Sequence, residues 1–303
     1  MNPARTFIQP HTKDLGGGFP VRRLLPSAQR QAVGPFLFLD HFGPLTPASD
    51  GRNDVRAHPH IGLATVSYLF EGAIEHRDST GAVQRIEAGA VNWMCAGSGI
   101  VHSERMTTQA AGRKAGRKAG HKAGHNAGRL HGLQLWSALP VADEEIAPSF
   151  VHTPAHALPE LELGGARVRL LLGEAFGARS PVALRSPTLM LDMAFSAGDA
   201  FPLPLASERA VYVVDGEVEI DGEPVPAHSL LVLASDEEPL ISASSEARAV
   251  LLGGDSLGPR HIWWNFVSSR RERLRQAGQD WAAQRFDAVP GETEFIPLPG
   301  EGR

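Results

Sequence analysis

The sequence predicts an all-β chain folded as two similar barrels or sandwiches in tandem. Three observations carry that reading. Short strand-like runs rich in β-branched and aromatic residues recur at regular spacing between dense turn signals. The clearest helical stretch appears only near the end of the chain. A strand–turn pattern in the first half, Tyr68-Leu69-Phe70-Glu71-Gly72, is echoed in the second by Tyr212-Val213-Val214-Asp215-Gly216.

In chain order, the first-half strands are expected at 36–39, 65–70, 90–94 and 130–136. Those of the second half are expected at 168–172, 189–195, 210–214, 217–220, 230–233 and 249–252. Turns are marked by Glu71-Gly72, Ser79-Thr80-Gly81, Asp215-Gly216 and Asp221-Gly222. A Pro-containing stretch at 139–159 is the natural boundary. The organisation expected is a first barrel over 1–140, a second over 141–258, and a C-terminal segment over 259–303. A helix is expected over 268–285, with its serines suited to an N-cap and a strongly basic first half. Trp263 and Trp264 are expected to anchor this segment by packing.

The 303 residues are 42% hydrophobic and 21% charged, a globular profile. No run approaches the ~18 apolar residues of a membrane span, and residues 1–12 lack an apolar signal core. Cys95 is the single cysteine, so no intrachain disulfide can form; a cytoplasmic setting is expected. Cys95 itself reads as a small buried residue. The net charge of −5 argues against direct nucleic-acid binding. The tetrad repeat AGRK-AGRK-AGHK-AGHN within 109–129 carries Arg113, Lys114, Arg117, Lys118 and Lys122 and no acid. Rich in glycine and without large apolar residues, it reads as a disordered surface loop. A basic tether or a metal clip through His121 and His125 are weaker readings of it.

The chemistry concentrates in two short motifs, His58-Pro59-His60 and His102-Ser103-Glu104. Residues i and i+2 of a strand share a face. His58 and His60 therefore aim together, as do His102 and Glu104. Two such strands facing one interior present three imidazoles and one carboxylate to a single cation. Mixed histidine and carboxylate ligation leaves exchangeable positions, unlike a closed cysteine-rich structural zinc site. In the second half, the offsets that place His58 and His60 before Gly72 give Pro202 and Pro204 before Gly216, and the counterpart of His102 falls near Pro239-Leu240. None has a side-chain donor, so a metal-free second barrel is expected. His228 is expected at the surface. Asp40 and His41 read as turn or capping residues, with a hydrogen bond to a ligand imidazole as the alternative. Glu75-His76-Arg77-Asp78 reads as a solvated strand end. Trp93 or Met94 is a candidate pocket wall.

The stretches PFLFLDHFGP (35–44), HPHIGLATVSYLFEG (58–72), EHRDSTGAVQRIEAGAVNWMCAGSGIVHSE (75–104) and LHGLQLWSALP (130–140) resemble the pirin family of the cupin superfamily. The tail HIWWNFVSSRRERLRQA (261–277) is similar to a bacterial branch of it. The resemblance spans nearly the whole chain outside the repeat. It implies two tandem cupin-type jelly-roll β-barrels, a bicupin, with a short C-terminal helix and one divalent metal in the first barrel. By that resemblance the ligands are His58, His60, His102 and Glu104, and the metal is Fe(II); copper, nickel, manganese and zinc also suit such donors. Many pirins carry a glutamate where Ala64 stands and a threonine where Cys95 stands. Ala64 cannot ligate, which leaves Glu104 as the sole carboxylate.

The activity implied is that of a quercetin 2,3-dioxygenase, an oxidoreductase taking a flavonol-like substrate and dioxygen. Glu104 would be both ligand and catalytic base. The alternative implied is a non-enzymatic, iron- or redox-dependent regulator that binds a protein partner such as a transcription factor.

Overall fold

The computed structural model describes residues 5–16, 18–106, 128–235 and 237–300. Each half forms one seven-stranded and one four-stranded antiparallel sheet. In the first barrel the large sheet runs in the order Ser149–Thr153, Val91–Cys95, Leu63–Glu71, Leu130–Ala138, Phe36–Leu45, Pro20–Leu25, His11–Asp14. Its small sheet runs Val55–His60, Ile100–Met106, Ala73–Asp78, Val83–Glu87. The second barrel repeats this with Thr6–Ile8, Leu230–Val232, Glu208–Asp215, Ala247–Gly254, Thr188–Phe195, Ala166–Leu172 and Glu160–Leu163. Its small sheet is Ala200–Pro202, Leu240–Ser242, Glu217–Ile220 and Glu223–Pro226. Most of the repeat at 109–129 lies outside the described residues.

The barrels exchange strands. Thr6–Ile8 pairs with Leu230–Val232 of the second barrel, while Ser149–Thr153 pairs with Val91–Cys95 of the first. A cut at 140/141 would sever both from the sheets they join.

The two large sheets pack face to face, and side-chain alternation divides the core. Along Leu63–Glu71, Val66, Tyr68 and Phe70 join the largest apolar cluster, between the barrels, with Tyr212, Val214 and Val250 from the other side. Leu63 and Leu69 point the opposite way, into the first barrel. Gly132 is required here: a Cβ would stand 2.7 Å from the Tyr68 carbonyl oxygen and 2.8 Å from the Phe42 ring.

Polar ties across the interface repeat with the fold. The register row His41–Leu133–Tyr68 in one barrel matches the row Asp192–Val250–Tyr212 in the other. Each tyrosine reaches across. Tyr68 donates to Asp192 at 2.5 Å, and Arg248 grips the same carboxylate at 2.8 and 2.6 Å. The Tyr212 hydroxyl meets His41 Nδ1 at 2.5 Å, and His131 Nε2 meets His41 Nε2 at 2.6 Å.

This corrects two expectations. His41 is a fully buried interface residue in mid-strand, not a turn or cap. His228 is half-buried, its ring 5.4 Å from that of His41, because the interface brings the turn between Glu223–Pro226 and Leu230–Val232 against the strand that carries His41.

The C-terminal helix spans Arg271–Ala282, shorter than expected, and no side chain caps its start. Ser268 and Ser269 instead bond the buried Glu144 carboxylate at 3.0 Å. Trp264 packs with Phe266 and Trp281, but Trp263 is 41% exposed, lying over Gly278. No described helix is long and apolar enough to cross a membrane.

Candidate metal centre

His58 and His60 stand on Val55–His60, and His102 stands directly opposite His58 on Ile100–Met106. The three side chains are buried, and their ligand atoms all lie within 4.8 Å of one another. Glu104 lines the same cavity but is not one of this tight trio. A bulge lies between: His102 faces His58, whereas Glu104 faces Val55, so the ligand strand gains a residue there.

The tautomers suit a cation. His58 Nδ1 lies 2.8 Å from the Arg56 carbonyl, and His60 Nδ1 lies 3.1 Å from the Asn265 carbonyl. A carbonyl only accepts, so each Nδ1 carries the proton and each Nε2 lone pair faces inward. The buried His102 Nδ1 has no hydrogen-bond partner among the described residues, and His60 Nε2 and His102 Nε2 face each other 3.1 Å apart. A shared cation would satisfy these facing nitrogens. Burial pushes the His58 pKa down to about 4 and those of His60 and His102 well below 6.5. All three imidazoles are thus neutral, as ligands must be. Burial raises the Glu104 pKa, with His76 pulling the other way. The residues fit a divalent metal.

Around the trio is a cavity of about 390 Å³. Its floor is the Phe38–Trp136 pair, stacked at 4.1 Å, with Trp136 edge-on to His60 at 5.3 Å. Phe19, Phe42 and Met106 add apolar wall. Trp264 and Ile296 bring the C-terminal segment to the cavity. The tail is fastened to the ligand strand, Ile296 N donating to Ala57 O at 2.8 Å.

Asp40 opens onto this cavity from mid-strand, where Arg23 holds both its oxygens at 2.8 and 2.6 Å. It is neither a cap nor bonded to a ligand imidazole. Burial raises its pKa against the pull of Arg23. The stretch 75–78 is not a solvated face. His76 and Asp78 are buried and 2.9 Å apart, while Glu75 and Arg77 point outward by strand alternation. His76 stacks on Phe150 at 4.2 Å and lies 5.3 Å from His102. Trp93 packs between the barrels and Met94 inside the first; neither lines the cavity. Cys95 is buried, and burial raises its thiol pKa, the setting of an inert thiol.

Sequence reasoning missed Arg23, Gln134, the Phe38–Trp136 floor and the Asn265 carbonyl. The alternation of 130–138 held the signal for Gln134 and Trp136. Nothing local could reveal a carbonyl 205 residues away from His60.

A buried three-histidine group in the first of two jelly-roll barrels defines a bicupin able to hold a metal ion. Residues 18–137 match the Pirin family and residues 190–287 the Pirin C-terminal cupin domain. The chain belongs to the pirin family. It is 46% identical over 292 residues to a "Pirin-like protein" of Caulobacter vibrioides, covering 95% of this chain and 96% of that one. It is 35% identical to "Putative quercetin 2,3-dioxygenase PA1205" of Pseudomonas aeruginosa, covering 94% and 87% of the two chains. The crystal structure of a quercetin 2,3-dioxygenase from Acinetobacter baumannii superposes with a TM-score of 0.85 at 30% identity, covering 99% and 97%.

Proposed function

We propose that this protein is a non-haem iron dioxygenase of the quercetin 2,3-dioxygenase type, acting on flavonol-like substrates. The observation that carries the proposal is the cavity: about 390 Å³ of aromatic-walled space beside three neutral imidazoles. A substrate needs such space, whereas a redox-sensing surface does not. The relatives named for quercetin cleavage support the same reading.

His58, His60 and His102 would hold the metal through Nε2, and Glu104 would complete the set. When bound, iron supplies Lewis acidity and a path for electrons between substrate and dioxygen. The protein's own residues do the rest. The Phe38–Trp136 floor orients a flat ring system, and the apolar walls exclude water. Glu104 takes the substrate's hydroxyl proton, acting as the general base. In the overall balance both atoms of dioxygen enter the ring-opened ester, two ring carbon–carbon bonds break, and one carbon leaves as carbon monoxide.

The test is anaerobic loading with iron(II), then quercetin and oxygen. Quercetin loss with carbon monoxide release is expected, and His102→Ala abolishes both. Persistence of quercetin on fully loaded protein rejects the proposal.

A further inference from the structure

A polar row crosses the interior of the first barrel. Neighbouring strands set Arg23, Asp40, Gln134, Ser67, Asn92 and His152 opposite one another in register. Hydrogen bonds divide the row into couples: Arg23 with Asp40, Ser67 Oγ donating to Gln134 Oε1 at 2.8 Å, and His152 with Asn92 at 2.7 Å. Polar groups inside a barrel cost free energy unless partnered, and the couples supply most of those partners, Asn92 Nδ2 being left without one among the described residues. They also fix what Asp40 and Gln134, both on the cavity wall, can offer a ligand.

Arg23 donates one hydrogen bond to each Asp40 oxygen and lies over the Phe38 ring at 4.3 Å. The carboxylate keeps a further lone pair on each oxygen, so it remains an acceptor. Ser67 engages the carbonyl end of Gln134, which leaves the amide N–H groups as donors. Directly opposed residues on antiparallel strands stand about 5 Å apart at Cβ. An acceptor and a donor so placed complement two oxygens on adjacent ring carbons. One hydroxyl donates to Asp40, and its neighbour accepts from Gln134.

Phe38 and Trp136 lie two residues along the same strands, on the same face, where Trp136 touches His60. Two strand residues span about 6.6 Å. The polar pair therefore lies about one ring along the cavity wall from the aromatic floor, towards Phe42.

We propose that Asp40 and Gln134 form a specificity site for a catechol edge, two hydroxyls on adjacent carbons of an aromatic substrate, on the cavity wall beyond the Phe38–Trp136 pair. This rests on the flavonol reading and narrows it to substrates with a dihydroxylated outer ring.

The test is equilibrium binding to metal-loaded protein under nitrogen, read by tryptophan quenching. Three flavonols differing only in the outer ring are compared: quercetin with two adjacent hydroxyls, kaempferol with one, galangin with none. Quercetin is expected to bind at least about tenfold tighter than galangin, with kaempferol between, since hydrogen bonds to a charged partner are worth that much. Asp40→Asn and Gln134→Leu should each bring the quercetin-to-galangin ratio towards one. Should Asp40→Asn fail to fold, Gln134→Leu and the wild-type series still decide. Equal affinities in the wild type, or discrimination that survives both substitutions, overturns the catechol site alone. Binding of none of the three removes the flavonol reading and this site with it.

Discussion

The two barrels share a strand order but differ in what fills them. In the second, the interior is one continuous apolar cluster, with Phe201 and Ile241 directly paired on the strands that correspond to His58 and His102 of the first. In the first, the interior apolar residues form two smaller clusters, around Trp136 and around Phe42. The histidine trio, the polar row and the cavity occupy the space between. One barrel uses its interior for stability, and the other gives up part of that stability to hold a site. The interface repeats the contrast: its two equivalent ties are a charged Asp192–Arg248 couple and an uncharged His41–His131 couple.

The largest effect expected is a double dissociation between the barrels. His102→Ala should weaken metal binding by more than about 100-fold, exceeding the loss typical of an outer-shell partner, while the metal-free protein keeps its urea unfolding midpoint. Phe201→Ala should do the reverse, costing about 3–5 kcal/mol with metal content unchanged. Metal content by elemental analysis and urea unfolding read the two. Metal loss from Phe201→Ala would show that the barrels are not independent in function.

The next effect lies in the uncharged tie. Burial pushes the His41 pKa down to about 2 and the His131 pKa down to about 4. Unfolded imidazoles take up protons near pH 6.5, whereas the folded ones do so only below these values. Their contribution is therefore fully present above about pH 6.5. It is lost as pH falls, by at most about 1.4 kcal/mol per pH unit for each group, less for the half-buried His131 because solvent screens it. His131's loss ends near pH 4 and His41's near pH 2. Converting the couple to the charged type with His41→Asp and His131→Arg should flatten unfolding free energy between pH 6.5 and 4. An unchanged slope would place the titrating groups elsewhere.

The smallest effect compares the two tyrosines. Tyr68 donates to a carboxylate, so Tyr68→Phe should cost about 1.5–3 kcal/mol; Tyr212 bonds a neutral imidazole, so Tyr212→Phe should cost about 0.5–1.5 kcal/mol. Equal losses in urea unfolding would mean that Arg248 alone satisfies Asp192.

Much of the centre was legible because its geometry is local. A strand's period of two places His58 beside His60 and sends His76 inward with Asp78, although the latter pair was read as solvated. Asp40 and His41 were misread for the same reason in reverse. The run FLFLDHFGP looks like a strand ending in a turn, yet the strand continues to Leu45 with Asp40 facing the cavity and His41 facing the other barrel. The helix start was misjudged because Glu144, far away in sequence, claims the serines that would have capped it.

The sequence by itself determined the all-β class, the doubled strand–turn pattern and the three histidines, since these follow from alternation and donor chemistry within a few residues. Only the tertiary structure decided which groups face each other across strands. It set the Asn265 carbonyl behind His60, Arg23 on Asp40, and the exchange of Thr6–Ile8 and Ser149–Thr153 between barrels. Pairing register and packing between distant segments depend on the free energy of the whole fold, and no short window of residues encodes that.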